Sequence, residues 1–408
     1  GGLGFSPAEL LYAVLRHRKL IITFLLASLV AALIYTSLQP SVYQGLSRME
    51  VLPETGKAVQ DFQMARGNNQ DRAVMTAREW LVSGDVARRV GEPGCVDIWP
   101  LYDAARDQGM KVVDTRHEQT ATFAAEAYAK LTRTPGLAVL TAGPGVTNGV
   151  SAITSAHFNG TPMVVLGGRA PQARWGAGSL QELDHVPIVS SVTKLAGTVT
   201  DPAAGAAEVH SAALAAATPH RGPVFLDFPL DVLFASADTE LPDAVTPRGA
   251  APDPAEVAAL AALLAGAERP AFIVGSDVYW DGAWDALAAC VERWRVPCFF
   301  NGLGRGTLPA DHELAFLRTR GVLKQRADLV VVLGTPLDFR LGFGSFGAAR
   351  VAHVVDSDAQ RAAHLQVPTV AGDLVAILTA LADDRRDGVD HDAWIAELRA
   401  AETAAAAA

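Results

Sequence analysis

From residue 111 onward, short apolar runs bounded by Gly, Pro or Asp recur with room for about one helix between them: "KVVD", "LAVLTAG", "MVVLGG" and "GPVFLDFP", then "PAFIVGS", "PCFFNG", "ADLVVVLG" and "RVAHVVD". A run that is apolar at every position suits a strand covered on both faces, and the alanine-rich amphipathic stretches between the runs suit crossover helices. This alternation predicts an α/β fold of two doubly wound parallel-sheet domains in tandem. The stretch "ASADTELPDAVTPRGAAPDPAEV" has no apolar period and is rich in Pro, Ala and acid, as a linker is. The expected divisions are 91–234 for the first domain, 235–251 for the linker, 252–385 for the second domain and 386–408 for a helical tail.

Residues 1–92 differ in kind from the rest. They carry 10 Lys+Arg against 8 Asp+Glu, leaving 24 against 36 for the remainder of a chain whose net charge is −10. No basic cluster is interleaved with aromatics, so nucleic acid is not an expected partner. Cys95, Cys290 and Cys298 form no CxxC pair and no cluster with His. Neither a disulfide framework nor a metal site is indicated, and a reducing compartment suits the α/β part.

The stretch "LIITFLLASLVAALIYTSL" over 20–38 holds no charge, Gly or Pro. At ~1.5 Å per residue it is close to the ~30 Å of a bilayer core. Arg16, His17, Arg18 and Lys19 precede it, which places the N-terminus in the cytoplasm and predicts an inner-membrane anchor within a 1–90 segment. A buried core helix or a cleavable signal peptide is the competing reading; the run has no polar face and no A-x-A site follows.

"DTRHEQTATF" opens the next helical pattern. Thr115 and Glu118 have the spacing of a capping box, in which the Thr hydroxyl and the Glu carboxylate satisfy each other's backbone N–H groups. That role alone would account for Glu118. Downstream, "TAGPGVTN" reads as a strand end, a tight turn and a helix start, so Gly143 and Gly145 can bring backbone close to a ligand at the carboxyl end of a strand. His117, His157 and His185 have no partner carboxylate or metal spacing and read as ordinary surface or helix-end histidines.

Taken in order, "RHEQTATFAAEAYAKLT", "TAGPGVTN", "NGTPMVVLGGRAP", "LQELDHV" and "GPVFLDFPLDV" resemble the pyrimidine-binding domain of thiamine-diphosphate enzymes of the acetolactate synthase-like group. "NGLGRGTLPADHELAF", "ADLVVVLGTPLDFRLGFG" and "VAHVVDSD" resemble the central domain of the same group. The resemblance implies that Glu118 hydrogen-bonds N1′ of the cofactor's aminopyrimidine, favouring the tautomer whose N4′ removes the thiazolium C2 proton. By the same resemblance Gly143, Pro144, Gly145 and Asn148 form the turn beside the aminopyrimidine and Gln181 faces the reacting centre. Pro93 and Gly94 match the loop before the domain's first helix. Each of these also has a plain reading as turn geometry or a helix cap. In the central domain the family uses the equivalent crevice for FAD, for an ADP-like ligand or for nothing; Gly304, Arg340 and Asp356 are the positions to inspect, Arg340 for a phosphate and Asp356 for a ribose or adenine.

The family's diphosphate and Mg²⁺ ligands lie in a third domain marked by G-D-G and a later Asn-Asn, and no such pair occurs in this sequence. The expected metal ligands within the chain are therefore none. The first 90 residues resemble instead the start of the polysaccharide chain-length determinant family, which suggests two incomplete proteins joined near Val90. The expected activity is a thiamine-diphosphate-dependent carboligase or decarboxylase of 2-oxo acids, homodimeric or tetrameric, of the type used in branched-chain amino acid biosynthesis, with the diphosphate domain missing. Oxalyl-CoA decarboxylase and 2-hydroxyacyl-CoA lyase are alternatives within the enzymes. A membrane protein of polysaccharide chain-length control with a non-catalytic α/β module is the alternative outside them. A single anchor would carry the α/β part out of the cytoplasm, where its chemistry belongs, and that conflict stays open at the level of sequence.

Overall fold

A computed structural model describes residues 98–239, 242, 247–384 and 390–407. The expected anchor over 20–38, the chain-length determinant-like segment and the loop residues Pro93 and Gly94 lie outside the described residues. Among the described residues no helix is long and apolar enough to cross a membrane.

The first domain contains α1 (Trp99–Asp107), α2 (Glu118–Thr132), β1 (Gly136–Leu140), α3 (Pro144–Phe158), β2 (Met163–Arg169), β3 (Ala196–Thr198), α4 (Gly205–Ala217) and β4 (Pro223–Pro229). Its four strands are parallel in the order β1-β2-β4-β3. The continuous apolar runs are divided between two cores by the two-residue period of the strand. Val164, Leu166, Val224 and Leu226 face one way, packing with Val209 and Ala212 of α4, and Met163, Val165 and Phe225 face the other with Ala125 of α2 and Val146 and Ile153 of α3. In α2 the buried residues are Thr122, Ala125, Glu126 and Ala129, a helical stripe, and the Glu126 carboxylate is held by Lys130 at 2.6 Å and, at 3.2 Å each, by Ser155 of α3 and by Asn159 at the C-cap of α3. "KVVD" does not become a strand: it has only two apolar residues, and Val113 is 66% exposed, so no buried face drives pairing.

The second domain contains α5 (Pro254–Ala265), β5 (Pro270–Val274), α6 (Ser276–Trp280), α7 (Trp284–Trp294), β6 (Cys298–Phe300), β7 (Ala315–Phe316), β8 (Leu329–Leu333), β9 (Arg350–Val355), β10 (Thr369–Ala371), α8 (Leu374–Asp383) and α9 (Asp392–Ala407). All neighbours in its six-stranded sheet, β10-β9-β8-β5-β6-β7, are parallel. Helix α9 is no loose tail. Trp394, Ile395 and Leu398 are part of this domain's core, and the Trp394 indole donates to the Pro270 carbonyl at 2.9 Å. Cys290 and Cys298 are free and buried here, and burial pushes the Cys290 thiol up to about 12.

Both sheets lie in one compact unit. Their contact includes a 2.6 Å bond from the Tyr279 hydroxyl to the Lys130 carbonyl, the Arg133 guanidinium 4.5 Å from the centre of the Trp284 ring, and an Arg221–Asp281 ion pair at 2.7 Å.

Candidate functional site

Glu118 is the first residue of α2, but its side chain does not close a capping box. The helix is capped by His117, whose Nδ1 accepts from the Gln119 N–H at 3.2 Å, while the Thr115 hydroxyl donates to the His117 carbonyl at 3.0 Å. With the cap supplied by its neighbour, the half-buried Glu118 carboxylate turns to α3, where its Oε2 accepts from the Asn148 side-chain amide at 3.1 Å.

The turn between β1 and α3 completes the arrangement. Gly143 has φ +59° and ψ −113°, a conformation that side-chain-bearing residues rarely adopt, and Pro144 follows at the first helical position. At Gly145 a Cβ would lie 2.4 Å from the Thr141 methyl and 3.5 Å from Glu118 Oε1, so glycine keeps the backbone close and the space beside the carboxylate free. Gln181 has φ +57° and packs on Gly143, where an added Cβ would be 2.9 Å from the Gln181 Cβ. Thus Glu118, Gly143, Pro144, Gly145, Asn148 and Gln181, spread over 64 positions of sequence, converge at the carboxyl end of β1.

His185 belongs to this site, contrary to its reading as an ordinary histidine. It is fully buried, and its Nε2 accepts the Gly143 N–H at 2.9 Å. An accepting Nε2 leaves the proton on Nδ1, which donates to Asp227 Oδ2 at 2.8 Å. Arg169 in turn donates to Asp227 at 2.9 Å and to Asp184 at 3.1 Å, with its guanidinium 4.0 Å from the centre of the Trp175 ring. A chain of Arg169, Asp227 and His185 thereby ends on the backbone of the Gly143 turn. The signal in the sequence was Asp227, a carboxylate inside the apolar run "GPVFLDFP": a charge in a buried strand requires a partner.

The crevice of the second domain is built differently. Gly304 is required by packing, since a Cβ would lie 2.3 Å from the Val274 carbonyl oxygen. Arg340 is engaged twice by Asp338, at 2.6 Å from Nη2 and 3.0 Å from Nε. Asp356, just past β9, has Oδ2 3.2 Å from Nδ1 of His220, a residue of the first domain. In this arrangement the guanidinium expected to meet a phosphate is bidentate with a carboxylate, and the carboxylate expected to meet a ribose is directed to a histidine.

The family model for the thiamine pyrophosphate enzyme N-terminal TPP binding domain matches residues 79–188, and that for the thiamine pyrophosphate enzyme central domain matches residues 257–381. The chain thus carries two domains of the thiamine pyrophosphate enzyme family, N-terminal and central. The first match begins inside the stretch assigned above to the membrane segment.

Within that family the similarity runs to acetolactate synthases and 2-hydroxyacyl-CoA lyases. The acetolactate synthase large subunit of Mycobacterium tuberculosis is 46% identical over 314 residues, covering 76% of this chain and 57% of the relative. The 2-hydroxyacyl-CoA lyase 2 of Bos taurus is 30% identical over 350 residues, covering 75% and 55%. The chain spans about half the length of the curated relatives it matches. An X-ray structure of a protein isolated from Mycobacterium smegmatis superposes with a TM-score of 0.65 at 23% identity, covering 78% of this chain and 64% of that one; it speaks to the fold alone.

Proposed function

We propose that these two domains serve a thiamine-diphosphate-dependent carboligase or decarboxylase of 2-oxo acids, of the acetolactate synthase kind, working as a homodimer or tetramer in branched-chain amino acid biosynthesis. The observation that carries the reading is the Glu118 carboxylate, released from capping duty and oriented by Asn148 beside the Gly143–Gly145 turn. The residues suit an aminopyrimidine: a carboxyl to share a proton with a ring nitrogen, and a glycine whose missing Cβ leaves room for a flat ring. The cofactor, when bound, supplies the electron sink for breaking and making bonds next to a carbonyl.

The residues of this chain do the rest. Glu118 would share the proton at N1′, with one of its carboxylate oxygens fixed by the Asn148 amide, and Gln181, packed on Gly143, would border the same site. Diphosphate and Mg²⁺ binding is assigned to a part of the assembled enzyme outside the two domains.

A single substitution tests the role of Glu118. With the remaining portion of the Mycobacterium tuberculosis relative supplied in trans, Glu118→Gln should lower acetolactate formation from pyruvate by about 10²–10⁴-fold, the usual worth of a positioned acid or base. It should also weaken the quenching of tryptophan fluorescence by thiamine diphosphate. Turnover that survives the substitution would remove Glu118 from the chemistry. The lyase relatives favour a second reading, cleavage of 2-hydroxyacyl-CoA, and a wild-type protein that cleaves such a thioester without joining pyruvate would select it.

A further inference from the structure

Three side chains from separate parts of the chain meet where the two domains touch. His220 lies between α4 and β4 of the first domain, Asp277 is in α6 directly after β5, and Asp356 directly follows β9. His220 Nδ1 is 3.2 Å from Asp356 Oδ2 and 3.7 Å from Asp277 Oδ1, and the three ligand atoms all lie within 4.8 Å of one another. We propose that His220, Asp277 and Asp356 form a site for a divalent transition-metal ion, Zn²⁺ in the first instance, which clips the first domain to the second.

Geometry and charge both support it. A tetrahedral ion with bonds of about 2.0–2.2 Å spaces its ligands about 3.3–3.6 Å apart; the two His220 separations lie within about 0.1 Å of that range, and the two carboxylate oxygens, no more than 4.8 Å apart, would draw together on the ion. The imidazole is held from behind: a Cβ on Gly160 would lie 2.8 Å from His220 Nε2 and Cε1, which packs that edge of the ring and leaves Nδ1 toward the carboxylates. Asp277 and Asp356 are 4% and 2% exposed, and Asp356 Oδ1 is buried without a hydrogen-bond partner. Such an oxygen is costly unless something binds it.

The neighbouring cations act by charge on the two carboxylates, Lys194 on Asp356 and Arg221 on Asp277, but direct their hydrogen bonds elsewhere. Arg221 pairs with Asp281 at 2.7 Å, and Lys194 donates to the carbonyls of Ala215 and Thr218 at 2.5 and 2.7 Å. One imidazole therefore faces two buried carboxylates. One nitrogen and two carboxylate oxygens suit Zn²⁺, whereas Mg²⁺ prefers oxygen alone in octahedral array. Three protein ligands leave a fourth position for Asp356 Oδ1 or a water.

The test uses the full chain, stripped with EDTA and dialysed against Zn²⁺. Elemental analysis should find about one equivalent more in the wild type than in His220→Gln or Asp356→Asn, the loss of one ligand from a three-ligand site. Zn²⁺ should raise the thermal midpoint of the wild type by several degrees and leave both variants unmoved. Co²⁺ in place of Zn²⁺ should give the visible absorption of a tetrahedral nitrogen–oxygen site, a readout that does not depend on either variant folding. Equal Zn²⁺ content in wild type and variants, or a colourless Co²⁺ form of the wild type, overturns the proposal. None of these readouts requires thiamine diphosphate, so failure here leaves the reading of Glu118 untouched.

Discussion

At the scale of single residues the site is a matter of which polar group answers which. Glu118 had two eligible roles, closing a cap with Thr115 or meeting a ligand, and spacing could not choose between them. The choice fell to His117, which takes the cap and frees the carboxylate for Asn148. His185 shows the opposite case: nothing adjacent to it in sequence marks it, yet it holds the Gly143 N–H from 42 residues away. Replacing it by Phe removes that acceptor and strands the Asp227 carboxylate with Arg169 alone. We expect His185→Phe to cost about 1–3 kcal/mol in urea unfolding, the penalty of an unmet buried polar group. If the Gly143 turn frames the aminopyrimidine, the folded variant should also bind thiamine diphosphate more weakly. A stability unchanged from wild type would mean that the relay does not bear on the turn.

At the scale of elements, strands and helices were legible because burial on both faces leaves a continuous apolar signature. All the quoted apolar runs except "KVVD" became strands, the exception having too little apolar surface to bury. Helix α9 was legible as a helix and illegible as part of a core. Beside its apolar face, one carboxylate secures its docking: Glu402 accepts from the backbone N–H groups of Leu317, Arg318 and Thr319 and from the Thr319 hydroxyl, at 3.0, 3.0, 3.1 and 2.7 Å. Burial alone would raise its pKa, but these donors outweigh burial and hold it below the usual carboxylate value. A carboxylate whose folded pKa is depressed stabilises the fold above its unfolded pKa and loses that contribution as pH falls through the folded value. Glu402→Gln should therefore cost about 1–3 kcal/mol near neutral pH, with the gap to wild type closing below about pH 4.3. Equilibrium unfolding at a series of pH values measures it, and a gap that stays constant down to pH 3 refutes the assignment.

At the scale of the whole molecule, the two α/β domains are joined by a few specific contacts in addition to the linker. The Tyr279 hydroxyl on the Lys130 carbonyl and the Arg221–Asp281 pair belong to the polar part of that joint, with His220 against Asp356 and Asp277. Calorimetry of the wild type should show residues of both domains unfolding together. In the double variant Tyr279→Phe, Arg221→Ala the calorimetric enthalpy should exceed the van't Hoff enthalpy, the sign of two units melting separately. A ratio that stays at unity would place the coupling elsewhere in the interface. What the sequence by itself determined was fold class, element order and the resemblance around Glu118, because hydrophobic period, turn residues and ordered motifs are local properties of a chain. What only the tertiary structure decided was partnership: His117 over Thr115 as the cap, Asp227 behind His185, Asp338 on Arg340, His220 against Asp356. Each of those depends on where a side chain comes to rest once distant strands are in register, and a buried polar group must find its partner wherever packing brings one within reach.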